Sequence, residues 1–249
     1  MPRELTLAPK DEKTPPRCSS GALIVNADDW GRDRETTDRT AECIRRGAVS
    51  SVSAMVFMED SERAAAVARE NRIDAGLHLN FTTPFSAPHC SARLVEHQRR
   101  IANRLLRHRL AQVLFDPTLM TSFDYVVSAQ LDEFCRLYRT APERLDGHHH
   151  MHLCANVLFP RLLPRGKIVR RNFSFEPGQK GLVNRLYRRT VDRMIARGHV
   201  VTDFFFALEP LEPRERLQRI FALAGRFTIE VETHPVNPAE FQFLAGGEV

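Results

Sequence analysis

The chain has 249 residues, 43% of them hydrophobic, with a formal net charge of +5; that is enough apolar content for a globular protein with a sizeable core. No apolar run approaches the roughly 20 residues that cross a bilayer, and no aromatic-studded basic motif accompanies the positive charge, which argues against nucleic-acid binding. The cysteines (Cys18, Cys43, Cys90, Cys135, Cys154) are scattered, odd in number and lack a CxxC, which points away from a disulfide framework and toward a reducing, cytoplasmic setting.

Residues 1–20 are polar and proline-bearing and read as a flexible lead-in to a single domain over 21–249. "ALIVNADD" (22–29) is a strand that leads into a helix ending at Gly47. "VSSVSAMVF" (49–57) is β-branched and strand-like, and "DSERAAAVAREN" follows with good helix formers. "DAGLHLNF" (74–81) is a third strand, and 82–142 holds helical candidates near 92–110 and 122–139. Strand-like "RLDGHHHMH" (144–152) and "KIVRRNF" (167–173) come next, then a helix over 181–197 and "HVVTDFFFAL" (199–208). A helix ending at Gly225 and the strand "RFTIEVETHP" (226–235) complete the series. This alternation predicts parallel strands joined by helical crossovers, in a (β/α) barrel or an open doubly wound sheet.

In either fold the chemistry belongs where strands end and loops begin. Asp28 and Asp29 end the first strand, His78 lies late in the third, Asp146 to His152 end a later one, and His234 follows the last. If the strands are parallel, these ends converge. In an extended strand Asp146, His148, His150 and His152 share a face and His149 points away. One or two of them can reach a common metal, because same-face residues step on by about 6.6 Å. Asp29 and His78 are the natural further ligands, and two histidines with one carboxylate leave positions open for water and substrate. Of the adjacent acids, one can bind the metal while the other stays free as a general base. His234 is of the right type to protonate a leaving group.

"NADDWG", "GLHLNFT", "DGHHHMH" and "ETHP" resemble, in order and spacing, the motifs of the YdjC-like (ChbG/HpnK) carbohydrate deacetylases, over about residues 21–238. The resemblance implies a distorted (β/α) barrel, a divalent metal (Mg or Zn) and removal of an acetyl group from an N-acetylamino sugar of an oligosaccharide or glycolipid. Motif by motif, it implies Asp28 as general base and Asp29, His78 and His148 as metal ligands, with His150 or His152 as substitutes for His148. It implies His234 as the acid and Arg170 as a substrate contact. Trp30 stands where phenylalanine is usual, which is expected to alter a pocket wall, and Gly147 replaces a serine. The arginine-rich 82–122 insert is expected to shape the cleft. The chain stops sooner than many relatives, so the expectation is either a missing final helix or a truncated sequence.

Two rival functions remain at this level. A metal-dependent phosphoesterase would use arginines as phosphate contacts, and a non-catalytic metal- or sugar-binding protein would hold the ion without turnover. The arginines crowding 161–197 read most simply as a solvated helical face; an anionic substrate or a peripheral membrane contact are the sharper readings. A homodimer is a further expectation.

Overall fold

A computed structural model describes residues 21–247 except 109 and 176–179. The expected lead-in over 1–20 lies outside the described residues. Seven strands form one sheet in the order β5-β4-β3-β2-β1-β7-β6, and every pair is parallel. They are β1 (Ala22–Trp30), β2 (Ser51–Ala54), β3 (Ala75–Leu79), β4 (Arg144–Gly147), β5 (Ile168–Val169), β6 (Phe204–Ala207) and β7 (Thr228–Thr233).

Sequence neighbours lie side by side and β1 pairs with β7. This is the winding of a barrel and not of a doubly wound sheet, whose order reverses at a switch point. The two edges meet along a thin seam. Val169 N–H donates to the Val200 carbonyl at 2.9 Å, Val200 N–H to that of Lys167 at 3.0 Å, and Ser174 N–H to that of Phe205 at 2.7 Å. The fold is therefore the distorted (β/α) barrel expected.

Strand alternation explains what each face holds. Val25, Ala27, Val52, Ala54, Leu77, Leu79, Ile229 and Val231 belong to the apolar core beneath the helices. The alternate residues Asn26, Asp28, Ser53, His78, Asp146, Glu230 and Glu232 are also buried, and they fill the barrel interior with polar groups.

The helices follow local signals. Asp33 caps α1 (Arg34–Arg45) by accepting from Thr36 N–H, and Ser91 caps α3 (Ala92–Leu105) from Leu94 N–H. Ala64, Ala65 and Ala68 give α2 (Ser61–Asn71) a fully buried face of small side chains. α4 (Met120–Tyr138) packs on α3, and Phe123 meets Phe81 beyond β3 with ring centres 5.3 Å apart. α5 (Ala155–Leu158), α6 (Leu182–Ala196), α7 (Arg214–Leu223) and α8 (Pro238–Ala245) complete the order.

Several elements differ from expectation. The strand expected over 144–152 stops at Gly147, and 49–57 and 167–173 yield strands of four and two residues. Among the described residues no helix is long and apolar enough to cross a membrane.

Candidate active site

The adjacent acids at the end of β1 both reach the barrel mouth because the strand breaks its own alternation. Asp29 has φ +64°, in the left-handed region, and the β1–β2 register shifts between Ala27 and Trp30. Such a bulge re-aims a side chain, and aspartate tolerates this backbone better than most residues. Trp30 is then fully buried, close to the Tyr138 hydroxyl; it is a core residue and not the pocket wall expected of it.

Asp29, His78 and His148 come together, each offering one ligand atom within 4.8 Å of the others. His148 Nδ1 lies 2.8 Å and His78 Nε2 3.4 Å from Asp29 Oδ1. Neither contact has the direction of a hydrogen bond, so Asp29 Oδ1 is a buried oxygen with no donor. Separations near 3 Å are those of ligands held about 2 Å from one ion. These three residues therefore fit a divalent cation. Asp29 Oδ2 is steadied by Arg32 Nη1 at 2.7 Å.

The electrostatics agree with that geometry. Burial lifts the Asp29 carboxyl, but His148 and His78 outweigh it and hold it well below its ordinary value. Burial lowers His78, yet Asp28, Asp146 and Asp29 overcome this and raise it to about 10. Asp146 Oδ1 meets His78 Nδ1 at 2.8 Å. This fixes the ring so that Nε2 faces Asp29, as a carboxylate behind a metal-binding histidine does.

The histidine run is not extended. After Gly147 the chain enters a tight 3₁₀ turn, His148–Leu153, with His149 and His150 in the left-handed region at φ 54° and 56°. The expected shared face of His148, His150 and His152 is therefore lost, and each imidazole goes its own way. His149 Nδ1 lies 3.1 Å from Thr82 Oγ1. His150 packs edge-on to Phe173 at 4.7 Å, with Nε2 3.7 Å from Glu232; burial and then Arg170 push it down to about 3. His152 Nε2 meets the Arg170 carbonyl at 3.0 Å. Gly147 sits in a tight place for the serine of related motifs: a Cβ there would lie 3.0 Å from His152 N and 3.1 Å from the Leu79 carbonyl oxygen, so this backbone would have to give by a few tenths of an ångström.

Arg170, expected at the substrate, is sealed inside the barrel with 1% of its side chain exposed. Its Nη1 and Nη2 grip both oxygens of Asp28 at 2.6 and 2.7 Å. Nη2 also meets Asp146 at 2.9 Å, Nε meets Glu230 at 2.7 Å, and Nη1 lies 3.4 Å from Glu232. Every nitrogen is turned to a carboxylate, so the group serves as counter-ion and leaves no donor for a ligand. Burial raises the Asp28 carboxyl, but Arg170 and then His78 bring it below its ordinary value. Burial leaves Glu230 and Glu232 raised, Glu232 well above its ordinary value with Asp28 as the second cause.

Asp28 keeps one acceptor site open. A carboxylate offers about four lone-pair sites; Arg170 takes one on each oxygen and Asn26 Nδ2 a second on Oδ1. The remaining site is on Oδ2, which lies 3.9 Å from His78 Nε2 and so borders the ligand trio.

His234 follows β7 and is half-buried. Its backbone is fixed by Glu240 of α8, which accepts from His234 N–H at 2.9 Å and from Thr233 Oγ1 at 2.6 Å. It stands near enough to His149 for their charges to interact. Asp146 was expected at this strand end but without a role behind His78, and Glu230 and Glu232 were not among the expected site residues. The signal for the glutamates was available: two acids alternate with Ile229 and Val231 in a strand that reads as fully buried.

Over 142 residues the chain is 32% identical to a chitooligosaccharide deacetylase of Proteus mirabilis, a match covering 55% of this chain and 52% of that protein. Over 170 residues it is 30% identical to a chitooligosaccharide deacetylase of Salmonella typhimurium, covering 68% and 60%. The chain thus matches just over half the length of these relatives. A crystal structure from Enterococcus faecalis, described as a cellobiose-phosphate cleavage protein, superposes with a TM-score of 0.63 over 93% of each chain at 16% identity, which shows a shared fold. The family described as YdjC-like protein matches residues 22–242. The chain belongs to the YdjC-like family.

Proposed function

We propose that the protein is a metal-dependent hydrolase that removes the N-acetyl group from an N-acetylamino sugar of an oligosaccharide or glycolipid. The observation that carries this is the pairing of a ligand trio, Asp29, His78 and His148, with a neighbouring carboxylate, Asp28, held ionised by Arg170. The family and the two relatives named chitooligosaccharide deacetylase support the same reading.

Asp29, His78 and His148 would hold a divalent ion, Mg or Zn, which when bound supplies Lewis acidity toward the acetyl carbonyl oxygen. Asp28 then accepts the proton of the attacking water at the free site on Oδ2. Arg170 keeps that carboxylate charged and fixes its plane through two bonds. Asp146 holds the His78 ring in its tautomer. His234, across the mouth, donates a proton to the departing amine of the sugar. The phosphoesterase reading needs arginine donors for phosphate; Arg170 has its nitrogens turned to carboxylates, and Arg32 is engaged by Asp29 and Asp33.

Purified protein supplied with divalent metal and N-acetylated chito-oligosaccharides should release acetate. Asp28→Asn should lose about 10²-fold or more of that rate while still binding metal. Full activity in that variant, or phosphate release without acetate release, would overturn the assignment.

A further inference from the structure

The first half of α6 is an apolar surface with nothing packed on it among the described residues. Leu182, Val183 and Leu186 are 80%, 85% and 64% exposed, whereas Val191 and Ile195 on another side of the same helix are buried against the barrel. Isolated exposed apolar residues are ordinary, but a contiguous patch marks a contact surface. Further exposed apolar side chains lie on other elements: Leu110, Phe115 and Phe159, the two phenylalanines with ring centres 6.0 Å apart.

The patch has a defined place relative to the site. Asn172 N–H, just past β5, donates to Asp192 Oδ1 at 3.0 Å. Residues 182–186 precede Asp192 by six to ten positions, so at 1.5 Å each they lie about 9–15 Å along the helix from that contact, toward the end of α6 that lies on the side of the catalytic mouth. α5 begins directly after the histidine turn and belongs to the same rim.

Charge selects the occupant. α6 carries Arg185, Arg188, Arg189 and Arg193 against one acid, Asp192, which Arg171 takes at 2.9 Å. A second copy docked face to face would bring these arginines together, which is unfavourable. An anionic bilayer offers the opposite charge to the arginines and an apolar layer to the leucines.

We propose that this rim docks on an anionic lipid bilayer, Leu182, Val183 and Leu186 entering the headgroup layer while Arg185 and Arg189 meet lipid phosphates, so that the catalytic mouth faces the membrane surface. The docking does not depend on the chemistry proposed above and is tested without it.

The full chain is sedimented with vesicles of phosphatidylcholine alone and of phosphatidylcholine mixed with phosphatidylglycerol, at low and high salt. Binding is expected with the anionic vesicles and should weaken as salt rises. Paired Leu182→Asp and Leu186→Asp substitutions should weaken it about tenfold or more. Arg185→Ser and Arg189→Ser should each weaken it about fivefold. Thermal melting reports folding; if the aspartate pair fails to fold, the arginine variants carry the test. Absence of anionic-vesicle binding, or undiminished binding by the variants, overturns the proposal. A dimer in light scattering that the aspartate pair dissociates, with no vesicle binding, assigns the face to a second copy and equally overturns it.

Discussion

Asp28 and Arg170 lie 142 residues apart in sequence and share two hydrogen bonds of 2.6 and 2.7 Å inside the barrel, with 3% and 1% of their side chains exposed. A buried arginine fork fixes both the charge and the plane of the carboxylate it holds. Lysine at 170 would keep the charge and lose the fork. Arg170→Lys should therefore raise the Asp28 pKa and move the acid limb of kcat/KM to higher pH, by about one unit. Arg170→Met should cost about 3–5 kcal/mol of stability, because it leaves buried carboxylates without a counter-ion. Acetate release against pH, and denaturant midpoints, check the two outcomes. An unmoved acid limb in the lysine variant would detach Arg170 from the chemistry.

Glu232 makes the opposite prediction. Its carboxyl is raised well above the ordinary 4.5, by burial first and the Asp28 charge second. Folding therefore takes up a proton at this residue. Its contribution to stability is fully present below pH 4.5 and is lost as pH rises from there through the folded value. Glutamine mimics the protonated acid and does not titrate. Glu232→Gln should remove a decline of up to about 1.4 kcal/mol per pH unit, read from urea midpoints between pH 5 and 8. A parallel pair of stability curves would show that Glu232 is charged in the folded protein.

A proton stands where the ion would bind. With His78 raised to about 10, the metal-free protein carries a charged imidazolium between Asp28, Asp29 and Asp146. Loading the metal must displace that proton, so calorimetric titrations in buffers of different ionisation enthalpy should report release of about one proton at neutral pH. Apparent affinity should rise roughly tenfold per pH unit below 10. Asp29→Asn and His148→Ala should each abolish the heat of binding. A pH-independent affinity would place the ion elsewhere.

His234→Gln tests the leaving-group side. Loss of a general acid should lower kcat about 10²-fold or more while KM changes little, since the interaction exists only in the transition state. Steady-state acetate release measures both. A loss under tenfold would remove His234 from that role.

The strand-end rule was enough to place Asp28, Asp29, His78, His148 and His234 at one end of the sheet, because a parallel barrel turns sequence position directly into spatial position. Side-chain direction was less accessible. The left-handed backbone at His149 and His150 has no composition cue, so alternation beyond Gly147 misled. Arg170 illustrates a different limit. The first of two adjacent arginines after a short strand reads as a surface or substrate group until the four carboxylates from β1, β4 and β7 are known to surround it. α8 and its Glu240, which secures His234, follow the last strand where no helix was expected.

The backbone of Asp29 narrows what that position can hold. At φ +64°, glutamate would offer the same oxygen ligand but strain the main chain, as its longer side chain lacks the local hydrogen bonding that eases this conformation. Asparagine would suit the main chain but carry no charge for a cation, and glycine would suit it better still while offering no ligand. Two unrelated requirements, one from the cation of the proposed function and one from the backbone dihedral, intersect on a single residue type. Asp29→Asn is thus the substitution that separates them: it should empty the site of metal while leaving the bulge, and with it the placement of Asp28, in position.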